Sequence, residues 1–182
     1  ADADNTYLYE DALALYEKAV EVDADMAIAS RMTGKIEEGA MPPLHRHLGT
    51  PVLTGLINLL FHGKLSDCNS GFRCIRKTSY AKWGIRSNGM EFASELLIKA
   101  LKARSSTVEI DSGLRKGPEG RIAHLRTWRD GMRHLLFILS ERPRLFEVSG
   151  LTLVVVSTLL QLAALVVGPA QIGGLNVFDL HT

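Results

Sequence analysis

The chain has 182 residues, of which 46% are hydrophobic and 23% are charged, ordinary values for a globular domain with a sizeable core. Its formal net charge of +1 points to no class of partner by itself, and we expect no nucleic acid among the partners. The two cysteines, Cys68 and Cys74, have a spacing that matches no metal-binding or redox motif. Reduced thiols without a catalytic role are therefore expected.

Charge and hydrophobicity are distributed unevenly along the chain. Residues 1–147 are mixed and charged, whereas residues 148–168 are almost wholly apolar. Eight basic residues crowd the stretch before the apolar segment: Arg115, Lys116, Arg121, Arg126, Arg129, Arg133, Arg142 and Arg144. Such a stretch suits anionic headgroups or phosphates, and a merely solvated charged face is the alternative.

An Asp-x-Asp motif, Asp2-Ala3-Asp4, opens the chain without a preceding methionine or signal peptide, so we expect a truncated start. Carboxylates two positions apart project to the same side of an extended strand end and can share one divalent cation. That cation would stabilise the diphosphate of a nucleotide sugar as a leaving group. An isolated motif of this kind can also be a solvated turn. A second copy, Asp23-Ala24-Asp25, precedes its predicted strand and is disfavoured, because ligands collect at the carboxyl ends of strands.

The first half of the chain predicts two helices around one strand and one loop. Apolar residues at helical spacing predict an amphipathic helix over 6–21, followed by a buried strand over Met26–Ser30. The turn-rich stretch Thr33–Pro43 is predicted to be a mobile loop. Thr50 as N-cap and Pro51 as first helical residue predict a helix that ends at His62. That helix is too short to span a bilayer, and lies either in the core or in the membrane interface.

Two polar features follow strand and helix ends. Arg31 comes at the carboxyl end of the first strand, where a guanidinium could hold a phosphate by two parallel hydrogen bonds, and a surface arginine is the alternative. Asp67 lies in the polar segment Ser66 to Arg73 and could act as general base or orient an acceptor that is already ionised. Glu91 opens a predicted helix over 91–103, in which Glu95 is expected to pair with Lys99 on the surface.

The C-terminal part predicts a strand and two further helices. Val108 and Ile110 alternate with polar residues as in a strand. Residues 128–147 are expected to form a basic amphipathic juxtamembrane helix, with one apolar side and one side that carries Arg129, Arg133 and His134. Residues 148–168 are long and apolar enough for a transmembrane helix. Residues 169–182 would then be an extracytoplasmic tail, and residues 1–127 a cytoplasmic domain.

The ordered set of Asp2-Ala3-Asp4, Ser30-Arg31, Ser66 to Arg73, Glu91 to Leu97 and Arg115 to Arg121 closely resembles the dolichol-phosphate-mannose synthase-like branch of family 2 glycosyltransferases. The Ser-Asp-x-x-Ser-Gly-Phe-Arg segment is the most specific element of this resemblance. It implies an α/β fold, namely the C-terminal part of a GT-A, Rossmann-like domain (1–127), with interfacial amphipathic helices and a C-terminal transmembrane helix. The strands that read the nucleotide would lie upstream of Ala1.

The resemblance also implies roles for individual residues. Asp2 and Asp4 would hold Mg²⁺ or Mn²⁺, and Asp67 would lie beside the reaction centre. Thr33–Pro43 would be the acceptor loop. Apart from the resemblance, Glu91 and Glu95 share one helix face and could help to frame the acceptor site, and surface carboxylates are the alternative. The residues expected to bind phosphate are Arg31, Arg73, Arg115 and Arg121.

The implied activity is inverting transfer of a sugar from a GDP- or UDP-linked donor to a polyprenyl phosphate, dolichyl or undecaprenyl, at the cytoplasmic membrane face. One alternative is an enzyme of the same fold that acts on a polysaccharide or glycolipid acceptor. Another is a catalytically silent membrane scaffold. The sequence leaves the sugar and the oligomeric state open.

Overall fold

The computed structural model describes residues 6–89, 91–117, 127–167, 170–172 and 175–177. It divides into two compact units, Ala1–Glu141 and Arg142–Thr182. The first unit is mixed α/β, as the sequence predicts. Its described elements are α1 (Asp11–Glu21), β1 (Met26–Ser30), a π-helical turn (His45–Gly49), α2 (Thr50–Phe61), β2 (Arg73–Ile75), α3 (Lys77–Trp83), α4 (Phe92–Lys102), β3 (Thr107–Asp111) and α5 (Thr127–Ser140).

The strands of the first unit form a mixed three-stranded sheet in the order β2-β1-β3. β3 runs parallel to β1, from the pair Met26 and Thr107 to the pair Ser30 and Asp111, and β2 runs antiparallel to β1. The carboxyl ends of β1 and β3 therefore lie at the same edge of the sheet. The complete Rossmann-like sheet that the resemblance implies stays a prediction.

β1 is buried along its whole length because helices cover both faces of the sheet. Met26 and Ile28 belong to the hydrophobic core that includes residues of α2, α4 and α5. Ala27 and Ala29 point the other way and belong to a core that includes Leu15 of α1. The small alanines suit the side on which α1 lies against the strand.

Helix α2 closely matches the range predicted for it, but it begins differently. The π-helical turn His45–Gly49 runs directly into the helix, and the hydroxyl of Thr50 accepts a hydrogen bond from the Asn69 amide instead of capping the helix. At the other end His62 is left-handed, with a φ of 57°. The side that carries Ile57 and Phe61 is buried in the core, whereas Leu59 on the other side is 73% exposed. The helix therefore contributes to the core and also presents apolar surface.

The expected surface pair of Glu95 with Lys99 is wrong, because Glu95 is buried. Its carboxylate accepts hydrogen bonds from the backbone N–H groups of Arg86 and Ser87 in the loop before α4. Burial by itself opposes the charge, but these N–H groups and the charge of Lys99 outweigh it and lower the pKa of Glu95. Glu95 thus holds that loop in place.

The amphipathic helix expected over residues 128–147 is two helices in the structure. α5 ends at Ser140, and α6 begins at Pro143, whose ring fixes φ and supplies no backbone N–H for a continuous helix. The faces of α5 also differ from the expectation. His134 is buried and lies 2.7 Å from the Ser94 hydroxyl through Nδ1, whereas Trp128 and Met132 are exposed. Burial lowers the pKa of His134, which favours the neutral ring.

The second unit contains α6 (Pro143–Val167), β4 (Ala170–Ile172) and β5 (Leu175–Val177), and the two short strands pair antiparallel. Residues Pro143–Val166 of α6 are long and apolar enough to cross a membrane, by length and composition. The helix thus begins five residues before the predicted span (148–168), and it includes Arg144 and Glu147 near its start.

The segment Thr33–Pro43, predicted to be a mobile loop, is hydrogen-bonded to the chain that follows β3. Leu114 donates its N–H to Lys35 and accepts the N–H of Glu37, and Met41 is buried. Gly34 makes this approach possible, because a Cβ at Gly34 would lie 2.0 Å from the Ser112 carbonyl oxygen. Part of the segment therefore lies along the chain that follows β3 and is hydrogen-bonded to it.

Replacing Gly34 by alanine tests this close approach. Gly34→Ala should lower the free energy of unfolding by about 2 kcal/mol or more, since the added methyl group meets backbone that cannot rotate away. Gly55→Ala is the matched control. A Cβ at Gly55 in α2 would meet nothing within 4 Å, so this change should be neutral or stabilising by up to about 1 kcal/mol. Urea unfolding measures the stability of both variants, and equal stabilities would contradict the close approach of Gly34 to Ser112.

Glu95→Gln should reduce stability in a pH-dependent way. The folded pKa of Glu95 is below the ordinary value of 4.5, so its charge stabilises the fold above that pH and ceases to do so as the pH falls through the folded pKa. The difference in unfolding free energy between wild type and Glu95→Gln should be largest at neutral pH and shrink below about pH 4.5. Urea titrations at several pH values measure this, and a difference that grows on acidification would refute it.

Candidate functional site at the carboxyl edge of the sheet

Two of the polar segments singled out in the sequence, Ser30-Arg31 and Ser66-Asp67, meet where β1 and β3 end. Arg31 directly follows β1, and Ser112, which directly follows β3, donates its N–H to the Ser30 carbonyl. The Ser66–Asp67 turn lies against the same edge, with the hydroxyls of Ser30 and Ser66 2.6 Å apart. Ligands of open α/β sheets bind at such an edge.

Arg31 and Asp67 form a bidentate ion pair. Nε of Arg31 lies 2.7 Å from Oδ2 of Asp67, and Nη2 lies 2.9 Å from Oδ1. The Asp67 side chain is fully buried and that of Arg31 is 14% exposed. Burial opposes the charge of Arg31, but the hydrogen bonds and charge of Asp67 outweigh it and raise the guanidinium pKa further above its usual value. Arg31 is therefore a fixed cation, and its Nη1 takes no part in the pair.

Asp67 is fully engaged by this arrangement. Oδ2 accepts from the backbone N–H and Nε of Arg31, and Oδ1 accepts from Nη2 of Arg31 and from the backbone N–H of Asn69. A buried carboxylate with both oxygens occupied is poorly placed to take a proton from an acceptor hydroxyl. The geometry favours a role for Asp67 in positioning Arg31.

The loop that carries Asp67 is tied to several elements of the first unit. The backbone N–H of Ser66 donates to the carboxylate of Glu109 on β3, and that of Cys68 donates to the Thr54 hydroxyl on α2. Further along, the Ser70 hydroxyl donates to the Ala29 carbonyl, and the Gly71 N–H donates to the Tyr7 hydroxyl. Burial raises the pKa of the Cys68 thiol to about 11, which disfavours the reactive thiolate.

Arg73, predicted to bind phosphate, uses its guanidinium inside the protein. Nη1 donates to the Ala93 carbonyl and Nη2 to the Cys68 carbonyl, so Arg73 joins α4 to the Ser66–Arg73 loop. Nε is buried and has no hydrogen-bond partner within the part of the chain that the structure describes. Burial lowers the pKa of Arg73. These contacts favour a structural role.

Arg115 and Glu91, two further predicted site residues, lie near different parts of the first unit. Arg115 donates its backbone N–H to the Thr6 carbonyl at 2.8 Å, and its exposed guanidinium lies 3.7 Å from Glu10. It therefore lies beside the chain that follows Asp4. Glu91 precedes α4, and its charge opposes the burial that lowers the pKa of His134 on α5.

Three predicted site residues, Asp2, Asp4 and Arg121, lie outside the described residues. Within the described ranges there is no group of three acidic, histidine or cysteine side chains that could hold a metal ion. The disfavoured second motif has contacts of its own near the start of β1. Asp23 pairs with Arg76, and Asp25 accepts from the Ser79 hydroxyl and the Ser106 N–H.

Sequence reasoning missed Tyr7 and Glu109 as parts of this site. Tyr7 was assigned to a helix but forms a single bridge with Leu114, and its ring is buried against Phe72. Glu109 lies on β3, and the alternating pattern that predicts this strand is carried by the apolar side chains Val108 and Ile110. No local signal marks a carboxylate that accepts hydrogen bonds from a turn 43 residues away.

Comparison with known proteins gives two similar chains, and no family model matches. The first is the low-salt glycan biosynthesis hexosyltransferase Agl6 of Haloferax volcanii, 37% identical over the whole of this chain. The second is an uncharacterized protein of Shigella flexneri, 31% identical over 102 residues, which are 53% of this chain and 63% of that protein. The chain spans 43% of the length of the hexosyltransferase.

Removing the charge of Asp67 should be strongly destabilising. Asp67→Asn leaves Arg31 charged in a largely buried position, and breaking a buried pair from one side costs about 3–5 kcal/mol. Glu21→Gln is the control, since the Lys18–Glu21 pair is exposed and such pairs contribute about 0–1 kcal/mol. Urea unfolding measures both, and equal small losses would show that the Arg31–Asp67 pair is not a buried anchor.

Proposed function

We propose that this chain is part of a metal-dependent, inverting glycosyltransferase that transfers a sugar from a nucleotide diphosphate to a polyprenyl phosphate at the cytoplasmic membrane face. Its 37% identity to a hexosyltransferase over the full chain carries the proposal. The resemblance to family 2 glycosyltransferases, whose fold is GT-A, supports it as well, and two motifs of that resemblance, Ser30-Arg31 and Ser66-Asp67, lie together at the carboxyl edge of the sheet.

Arg31 is the residue proposed to bind the acceptor phosphate. Asp67 holds one edge of the guanidinium, which leaves Nη1 outside the ion pair and fixes the plane of the group. A guanidinium with a fixed plane and a permanent charge recognises phosphate oxygens better than a flexible ammonium group does. Arg115, and Arg121 from the basic stretch that follows, are proposed as further phosphate contacts.

Asp2 and Asp4 are proposed to hold Mg²⁺ or Mn²⁺, because carboxylates are hard oxygen donors. A bound divalent cation would supply charge neutralisation for the departing nucleoside diphosphate. Thr6 and Tyr7 follow the motif in sequence after Asn5, and they contact Arg115 and Leu114 in the chain that follows β3. Donor and acceptor phosphates would thus be held by neighbouring segments.

The proposed reaction requires little acid–base chemistry from the protein. A phosphate monoester has its second pKa near 6 and is largely ionised at neutral pH. An oxygen of the lipid phosphate attacks the anomeric carbon from the face opposite the nucleoside diphosphate, the bond to the diphosphate breaks, and the configuration inverts. A buried, fully hydrogen-bonded Asp67 that orients Arg31 suits this reaction better than a general base would.

Exposed apolar side chains support an acceptor bound at a membrane surface. Trp128, Met132 and Leu136 recur at helical spacing on α5 and are 78%, 53% and 58% exposed. A helix with one apolar face and a neighbouring basic stretch is typical of the membrane interface. α6, which is long and apolar enough to span a bilayer, supports the same location.

Sugar transfer by the full-length parent protein tests the function. Radiolabelled GDP- and UDP-sugars are offered with polyprenyl phosphate in detergent, with Mg²⁺, with Mn²⁺ and with a chelator. A metal-dependent, lipid-soluble product that is labile to mild acid is expected. Label in a polysaccharide or glycolipid would replace the proposed acceptor, and no product with any acceptor would favour a silent scaffold.

Arg31→Lys should reduce transfer by about 10- to 100-fold, the equivalent of losing one charge-assisted hydrogen bond to phosphate. The loss should fall mainly on kcat/KM for the lipid phosphate. Arg76→Lys is the control, because Arg76 is paired with Asp23 near the start of β1 and should retain activity. If Arg31→Lys retained wild-type kinetics, Arg31 would not bind the acceptor phosphate.

A further inference from the structure

Glu109 lies on β3 with its carboxylate against the Ser66–Asp67 turn. The backbone N–H of Ser66 lies 3.0 Å from Oε1 and 2.9 Å from Oε2 of Glu109, and the N–H of Asp67 lies 3.4 Å from Oε1. On β1 the partner of Glu109 in the sheet register is Ile28, two residues before the strand ends. The sheet therefore holds the Ser66–Asp67 turn through Glu109.

The Ser66–Asp67 turn carries the carboxylate that orients Arg31. Asp67 supplies both of its side-chain oxygens to the guanidinium, and the Ser66 hydroxyl meets the Ser30 hydroxyl. Displacement of the Ser66–Asp67 backbone would move the Asp67 carboxylate with it. The two distances of the ion pair therefore depend on where Glu109 holds the turn.

A carboxylate suits this position better than an amide. Both oxygens of Glu109 lie within hydrogen-bond distance of the Ser66 N–H, and Oε1 also faces the Asp67 N–H. A glutamine has one acceptor oxygen and would turn an NH₂ group toward the Ser66 N–H. Burial opposes the charge of Arg31, and Asp67 outweighs it through its hydrogen bonds and charge and raises the pKa of Arg31; Glu109 accepts hydrogen bonds from the backbone of the turn that carries Asp67. Glu109 thus acts on Arg31 through geometry.

The geometry points to Glu109 as a positioning residue for phosphate binding: it fixes the Ser66–Asp67 turn, and through it the guanidinium of Arg31. The identity of the anion as an acceptor phosphate rests on the proposed function. The series of hydrogen bonds that leads from Glu109 through Asp67 to Arg31 does not rest on the proposed function, because all of these bonds lie within the first unit.

Chemical labelling of Arg31 in the full-length parent protein tests this series of hydrogen bonds without an activity assay. Phenylglyoxal modifies accessible arginines, and peptide mass spectrometry follows each site separately. Glu109→Gln should raise the labelling rate of Arg31 by about five- to tenfold, the size expected for one lost net hydrogen bond. Glu109→Asp should raise it less, because the carboxylate is retained but is one methylene shorter. Arg76 and Arg115 serve as internal references whose rates should not change.

Glu95→Gln is the matched control. Glu95 also accepts hydrogen bonds from two consecutive backbone N–H groups of a loop, so its loss lowers stability in the same way without touching the turn that holds Arg31. The Arg31 rate should stay at the wild-type value in Glu95→Gln. A wild-type Arg31 rate in whichever Glu109 variant folds, or an equal rise in Glu95→Gln, would overturn the proposal.

A double-mutant cycle connects positioning to transfer. Glu109→Gln should raise KM for the lipid phosphate more than it lowers kcat, and should add little to the loss already caused by Arg31→Lys, because both changes affect one unit. Fully additive losses would overturn the proposal. If the wild-type parent transfers no sugar, the proposed function fails, and the labelling result still decides the role of Glu109.

Discussion

A guanidinium and a carboxylate, both largely withdrawn from water, meet at the end of the central strand, and the surrounding structure is arranged to keep them together. Neither charge is tolerable there alone, because burial of an unpaired ion costs several kcal/mol. Pairing alone does not remove that cost, so the remaining acceptor positions of Asp67 are filled by backbone N–H groups of Arg31 and Asn69. The pair therefore requires both its own geometry and a fixed backbone on each side.

The sheet supplies that backbone. Because β3 runs parallel to β1, Arg31 and Ser112 emerge at one edge, and Gly34 lets the following segment pass close to Ser112. Glu109 and Thr54, from a strand and a helix on either side, hold the turn that carries Asp67. The site is thus built from segments far apart in sequence, each too short to hold its shape alone. The contacts that stabilise the fold here are also the ones proposed to bind the anion, so removal of the Asp67 charge is expected to affect both.

This arrangement changes the chemistry assigned to the residues. The contacts of Asp67 explain it better as the group that fixes Arg31, the residue proposed to bind phosphate, than as a base, and an acceptor that is already ionised requires no base. Arg73, considered a phosphate ligand, joins the Ser66–Arg73 loop to α4. The similarity to a hexosyltransferase covers the whole chain but 43% of that protein. The function proposed for this part is accordingly phosphate binding, and we assign neither the nucleotide pocket nor the choice of sugar to its residues.

The sequence by itself determined the elements whose signal is local. The buried run Met26–Ser30, the apolar period of α2 and α4, and the long apolar segment of α6 were all predicted, because each follows from side chains a few positions apart. It also singled out Arg31 and Asp67 as candidate site residues. Only the tertiary structure decided that these two bind each other, that Glu95 and His134 are buried, and that Glu109 holds the turn. These facts depend on which polar groups meet across tens of residues, and a carboxylate has the same local pattern whether its partner is water, a substrate or a backbone N–H brought to it by the fold.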